Sequence, residues 1–326
     1  MFETRSDEIA HLASECAVRT CWAQWVALGS PAAANRVRAS AIVDPEALVL
    51  LSLCVHEHER RLVDLVSWWA RVGSPLTSVQ RIQSVAARFP EDAGQRALAS
   101  FAGYAAEAGD RRWSRHAGAG IATTVRRKGQ DEPDLSKSAT LWLRLRAGFG
   151  VGTKADTLAF LLGIGGAWAS TRRIAFATGY STVAARSAAS EMALARFIRE
   201  TSERPAQYSA PAEAWAAVLV PSEAASLAPS SAASSGAASL PAWRFWSEIF
   251  AFLASVIDWS EQARSASAPG PHVLASRARD LMEKHARGFD ADGIHVPRPE
   301  SYRGLGAVDA LLETTRVLCG WIDEQV

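Results

Sequence analysis

RRIAFATGYSTVAARSAASEMALARFIRE, residues 172–200, contains an elbow on which the fold of this chain turns. Ser170 stands where a helix N-cap is wanted, so a first helix is expected over Thr171–Thr178, with Ile174 and Phe176–Ala177 on its apolar side. Gly179 can take the positive φ that a tight helix-to-helix turn demands, and Ser181 can cap a second helix over Thr182–Ala195. Ala175, four residues before the glycine, is small enough to let the two helices cross closely. Beyond them RFIRE alternates like a strand, TSERP reads as a turn and AQYSA as the returning strand.

Working outward, ATLWLRLRAGFG and KADTLAFLLGIGG give two helices hinged at Gly148–Gly152, and PAEAWAAVLV a short closing helix. This region is also electrically distinct. Residues 111–210 hold sixteen Lys and Arg against seven Asp and Glu, so they carry +9 in a chain whose net charge is +1. A basic block between acidic flanks is the footprint of a polyanion-binding module carried by domains that do not bind.

The segment resembles the winged helix-turn-helix DNA-binding domain of bacterial transcriptional regulators. Ile174-Ala175, Gly179-Tyr180-Ser181, Met192, Phe197-Ile198 and Tyr208 carry the resemblance, which covers about 70 residues, Lys154 to Val220. It implies that the Thr182–Ala195 helix enters the major groove, with Ser181, Thr182 and Arg186 towards bases. Arg172, Arg173, Arg196, Arg199 and Arg204 would then hold phosphates, the last two from the wing. The chain departs from the family in carrying Ala185 and Ala189 where large aliphatic residues are usual, and Arg196 where a glycine is common. The recognition positions read Ser181, Thr182, Ala184, Ala185 and Arg186, so Arg186 is the one long basic side chain for direct readout of guanine.

Residues 1–110 read as a helical N-terminal domain. The stripe Leu62, Leu65, Val66, Trp69 stops at Gly73-Ser74-Pro75; TSVQRIQSVAARF follows, capped by Thr77 or Ser78, and then DAGQRALASFAGYAAEAG. Residues 111–136, with RRWSRH and VRRKG, are expected as a basic linker or arm, and 137–220 as the winged domain. The Ser/Ala-rich stretch 221–242 is expected as a linker, and 243–326 as a helical C-terminal domain. The expected fold class is therefore mainly α, with one small β-ribbon.

Composition is that of a globular chain, with 48% hydrophobic and 21% charged residues. No apolar run reaches the roughly 20 residues needed to span a bilayer, and the first residues lack a signal-peptide pattern. A cytoplasmic protein with reduced thiols at Cys16, Cys21, Cys54 and Cys319 is expected. His56 and His58 of HEHER lie two positions apart and would point to different sides of a helix, so they read as a polar face or turn. GFGVGTK fails the phosphate-loop spacing, and Asp290-x-Asp292-Gly293 lacks the other calcium-loop positions. Trp243 and Trp246, at helical spacing, read as core or as a dimer contact; with Trp68-Trp69, Trp259 and Trp321 they could instead line a ligand cavity. No nucleophile–base pair can be assembled, so no enzyme, cofactor or metal is expected. The expected partners are double-stranded DNA, a second copy in a homodimer, and a small-molecule or protein effector. The alternatives are an interaction protein, such as an antitoxin-like or defence-system component, that uses the same fold to hold a protein partner, and a helical enzyme with an unrecognised site.

Overall fold

The computed structural model describes residues 2–30, 40–118, 132–219, 240–298 and 301–325. Within them the chain is mainly α, with thirteen helices and one small sheet of three short strands. Packing divides it into two units. The larger holds Met1–Ala39, Asp44–Glu132 and Phe245–Val326, and the smaller holds Ser40–Val43 and Pro133–Arg244.

The larger unit begins with α1 (Phe2–Ala27), α2 (Pro45–Cys54), α3 (Arg61–Val72), α4 (Val79–Ala86) and α5 (Glu91–Glu107). Local chemistry sets these bounds. Asp44 caps α2 by accepting from Ala47 N at 3.0 Å with Pro45 in the first turn, α3 stops at Gly73, and Ser78 caps α4. The Arg81 guanidinium is fully buried between Asp44 and Glu46, donating to Asp44 Oδ1 and Oδ2 at 2.6 Å and Glu46 Oε2 at 2.7 Å. Ser78 N reaches Glu46 Oε1 at 2.7 Å, so the carboxylates are satisfied on several sides, as charges removed from water must be.

The smaller unit follows, with α6 (Leu141–Phe149), α7 (Thr153–Gly163), β1 (Ala169–Ser170), α8 (Thr171–Thr178), α9 (Thr182–Leu194), β2 (Arg199–Glu200), β3 (Gln207–Ser209) and α10 (Ala212–Leu219). The hinge expected at Gly148–Gly152 is present, with φ of 82° at Gly150. The sheet runs β1-β3-β2, antiparallel throughout, with Ala169 opposite Tyr208 and Arg199 opposite Ser209. The hairpin β2–β3 matches the expected strand, turn and strand, whereas β1 is an additional element that extends the sheet across the start of α8.

The chain then returns to the larger unit as α11 (Trp246–Arg264), α12 (Pro271–Ala291) and α13 (Gly306–Asp323). Here the structure differs from the expectation of separate helical regions at 1–110 and 243–326. Helix α1 packs against α11 and α13, and α2 also packs on α11. Arg19–Asp323 at 2.6 Å, together with Arg5–Asp309 and Arg316–Glu8, ties α1 to α13. The two regions make one core because α11 is buried along most of its length and needs neighbours on several sides.

The expected linker at 111–136 is also corrected in its first part. Residues 111–113 form a 3-10 turn in which Trp113 is fully buried, edge-on to Phe101 at 4.9 Å, and Arg112 is held by Asp110 at 2.6 Å and by the Ser74 carbonyl. Arg126, Arg127 and Lys128 fall outside the described residues, as does most of the expected Ser/Ala-rich linker. The tryptophans belong to cores rather than to a shared cavity. Trp25, Trp68 and Trp69 cluster within 6.4 Å, and Trp246 packs on Trp321 and Phe250 in the larger unit. Trp243 packs on Trp142 and Phe160 in the smaller unit. No helix among the described residues is long and apolar enough to cross a membrane.

Candidate nucleic-acid interface

The elbow forms as its residues dictate. Ser170 Oγ accepts from Arg173 N at 3.3 Å and Ser181 Oγ from Ala184 N at 3.2 Å, so each helix opens on a capped N-terminus. Gly179 sits at φ 76°, the left-handed conformation that closes α8, with its N–H on the Ala175 carbonyl at 2.9 Å. Ile174, Ala185, Ala189, Met192, Ile198 and Tyr208 are buried. Ala185 is therefore a packing residue and not a reader of bases.

One buried carboxylate fixes the elbow from behind. Asp156 on α7 accepts from Trp142 Nε1 at 2.6 Å, from Arg146 Nε and a terminal guanidinium nitrogen at 2.8 Å each, and from the Tyr180 hydroxyl at 3.0 Å. Tyr180 lies in the turn between α8 and α9, so the network joins α6, α7 and that turn. A second tie crosses from α9 to the hairpin: the Tyr208 hydroxyl is 3.1 Å from Ser190 Oγ and donates to Glu200 Oε1 at 3.3 Å.

On the outer side, Arg172 at the start of α8, Thr182 and Arg186 on α9, and Arg204 in the β2–β3 turn line one groove of about 620 Å³. Ser190, Glu200 and Tyr208 close it. Arg172, Arg173, Arg186, Arg196, Arg199 and Arg204 are all exposed, and none has an ion-pair partner among the described residues. Comparison with protein-family models, curated proteins and solved structures returned no match. The geometry alone therefore bears on what this face does.

Of the eight residues expected to meet DNA, the groove gathers Arg172, Thr182, Arg186 and Arg204. Arg173, Ser181, Arg196 and Arg199 are exposed outside its lining, and the Ser181 oxygen is engaged in capping. Arg196 adopts φ 61°, so the position where the resembled family often has glycine has the backbone that favours glycine. The basic block is less available than its count suggests. Arg146 is buried on Asp156, Lys154 pairs with Glu191 at 2.7 Å, and Lys137 pairs with Asp134. Lys154 and Ser187 hold the Glu191 carboxyl below the usual carboxylate range by bonding its charged form.

Sequence reasoning missed Glu200 as part of the groove, because alternation in RFIRE does not say which side chains share a face with α9. It also missed the aromatic cluster of exposed Phe149 and Phe197 with half-buried Trp215, whose rings stand 5.7 to 6.0 Å apart. Asp290-x-Asp292-Gly293 serves the fold: Asp292 Oδ2 accepts from Phe245 N at 2.8 Å. Among the described residues no group of three or more His, Cys, Asp or Glu side chains could hold a metal ion.

Proposed function

We propose that the smaller unit is a winged helix-turn-helix that binds double-stranded DNA, and that the protein is a transcriptional regulator acting as a homodimer. The observation that carries this reading is the convergence of Arg172, Arg186 and Arg204 on one groove from three separate elements, with no carboxylate among the described residues neutralising any of them in an ion pair. In this reading α9 lies in the major groove, with Arg186 placed to donate to guanine O6 and N7 and Thr182 beside it. Arg172, Arg173, Arg199 and Arg204 meet phosphates on either side of it, and Arg196 extends the charged rim. Glu200 adds selectivity: a carboxylate beside the groove disfavours close phosphates and can accept from cytosine N4.

The test is the salt dependence of binding to duplex DNA. Each phosphate neutralised contributes about −0.9 to the slope of log affinity against log salt. The two groove arginines that meet phosphates, Arg172 and Arg204, set a slope of about −1.8, and with Arg173, Arg196 and Arg199 it reaches about −4.5. Arg204→Ala should lower affinity for all sequences alike and reduce the slope by about one, while Arg186→Ala should relax sequence preference. No binding to duplex DNA even at low salt would sink the proposal.

A second reading, a module that holds a protein partner, draws on a different observation. Leu194 and Val218 are 86% and 75% exposed, and Phe149, Phe197 and Trp215 form their aromatic cluster on the same unit. Binding to a protein partner that persists at high salt, with no DNA binding at low salt, would favour it.

A further inference from the structure

The larger unit contains a cavity of about 450 Å³ between the C-terminal end of α2, the turn after it, α5 and α11. Its floor is apolar, made by Leu53, Val55, Ala97, Ala254 and Ile257, all buried. Four charged side chains stand around it: Glu57 from the turn, Arg96 from α5, and Asp258 and Glu261 from α11. Asp258 and Glu261 are three residues apart on one helix and so share a face. His56 is held aside, its Nδ1 on the Leu53 carbonyl at 2.7 Å.

These opposite charges line one space without closing on each other. Among the described residues neither Arg96 nor any of the three carboxylates forms an ion pair, and Asp258 has a single neutral donor, Gln262 Nε2 at 2.8 Å. Asp258 is half-buried beside the apolar floor, while Glu57, Arg96 and Glu261 are exposed around the mouth of a volume of the size that small ligands occupy. We propose that this cavity binds a free α-amino acid with an apolar side chain. Its ammonium group sits between Asp258 and Glu261, its carboxylate on Arg96, and its side chain on the floor of Leu53, Ala97 and Ile257. The three parts of such a ligand match the three kinds of surface, and a zwitterion brings no net charge to be desolvated.

Two further features agree. Burial raises the Asp258 carboxyl above its ordinary range, and burial with the neighbouring Asp258 and Glu57 charges raises that of Glu261, so an ammonium group arriving there relieves both. Burial also pushes the Cys54 thiol up to about 12, which keeps this lining group neutral and unreactive. The proposal concerns the larger unit alone and stands whether or not the smaller one binds DNA.

The experiment is calorimetric titration of the full chain, without DNA, with L-leucine, L-methionine and L-phenylalanine. The amide and N-acetyl forms of whichever binds best are then titrated in the same way. Expected is saturable one-site binding by at least one of the three, weakened about tenfold or more in each blocked analogue. Asp258→Asn, Glu261→Gln and Arg96→Gln should each weaken it comparably while leaving the circular dichroism spectrum and melting cooperativity intact. No saturable binding by any of the three overturns the proposal. An amide that binds as tightly as the free amino acid makes the site a cation site and overturns it too, and an equally tight N-acetyl form makes it an anion site with the same consequence. Unchanged affinity in all three folded variants places the ligand elsewhere.

Discussion

Replacing Asp156 by alanine tests the reasoning that this one carboxylate fixes the smaller unit. The side chain is fully buried and takes four hydrogen bonds, two of them from the Arg146 guanidinium, which is itself 1% exposed. Alanine leaves that cation stranded in the core together with the Trp142 and Tyr180 donors. Breaking a buried pair by removing one partner costs about 3–5 kcal/mol. Tyr180→Phe removes one donor to the charged carboxylate and should cost less, about 1.5–3 kcal/mol. Urea unfolding followed by tryptophan fluorescence and circular dichroism measures both. The double variant Arg146→Met, Asp156→Leu should recover most of the loss, because no charge then stays buried. The hub also has a functional readout. Tyr180 sits in the turn joining α8 to α9, so the milder Asp156→Asn should weaken DNA binding without removing any phosphate contact, and the salt slope should stay as in the wild type. A loss under 1 kcal/mol for Asp156→Ala, or a Tyr180→Phe loss as large, would refute this account of the hub.

Gly179→Ala forces a Cβ into the left-handed region at φ 76° and should destabilise the protein by about 1–2 kcal/mol, read as a lowered urea midpoint. Arg196→Gly acts in the opposite sense: relief of a non-glycine residue at φ 61° should stabilise by up to about 1 kcal/mol, and a fall in the midpoint would contradict it. Burial holds the His285 imidazole below its ordinary value against the pull of Glu248, so the folded chain refuses a proton that the unfolded chain binds at about pH 6.5. Stability from this group is therefore complete above that pH and falls as pH drops below it towards the folded value. Wild type should lose more stability than His285→Gln between pH 7.5 and 5.5, whereas parallel profiles would remove His285 as the cause.

The elbow was legible because every signal in it is local. Ser170, Gly179 and Ser181 each act on backbone within four residues, and the helix bounds they imply match α8 and, within one residue, α9. The stop of α3 at Gly73 and the cap of α4 at Ser78 were legible for the same reason. The union of α1 with α11 and α13 was not, because nothing in 1–110 or 243–326 alone says that their apolar faces complete one core. Charge misled in the same way. Arg81 and Arg146 look like surface cations in a string of letters, and only the fold reveals the carboxylates that neutralise them. Half of the expected DNA contacts line the groove, because helical spacing locates Thr182 and Arg186, while the reach of the hairpin decides Arg199 and Arg204. The amino-acid cavity left no trace in the sequence: its charges come from α5, α11 and a turn far apart along the chain.

The pairing of α1 with α13 also sets an order of birth. Arg5 and Asp309 are separated by 304 residues, so at about 5–20 residues per second α1 waits roughly 15–60 s on the ribosome before its partner helix is made. The smaller unit lies wholly between them and has all of its residues in hand first. A nascent chain stalled far enough past Arg244 for that residue to clear the ribosome should thus already carry a protease-resistant smaller unit, while α1 still shows its apolar face to chaperones.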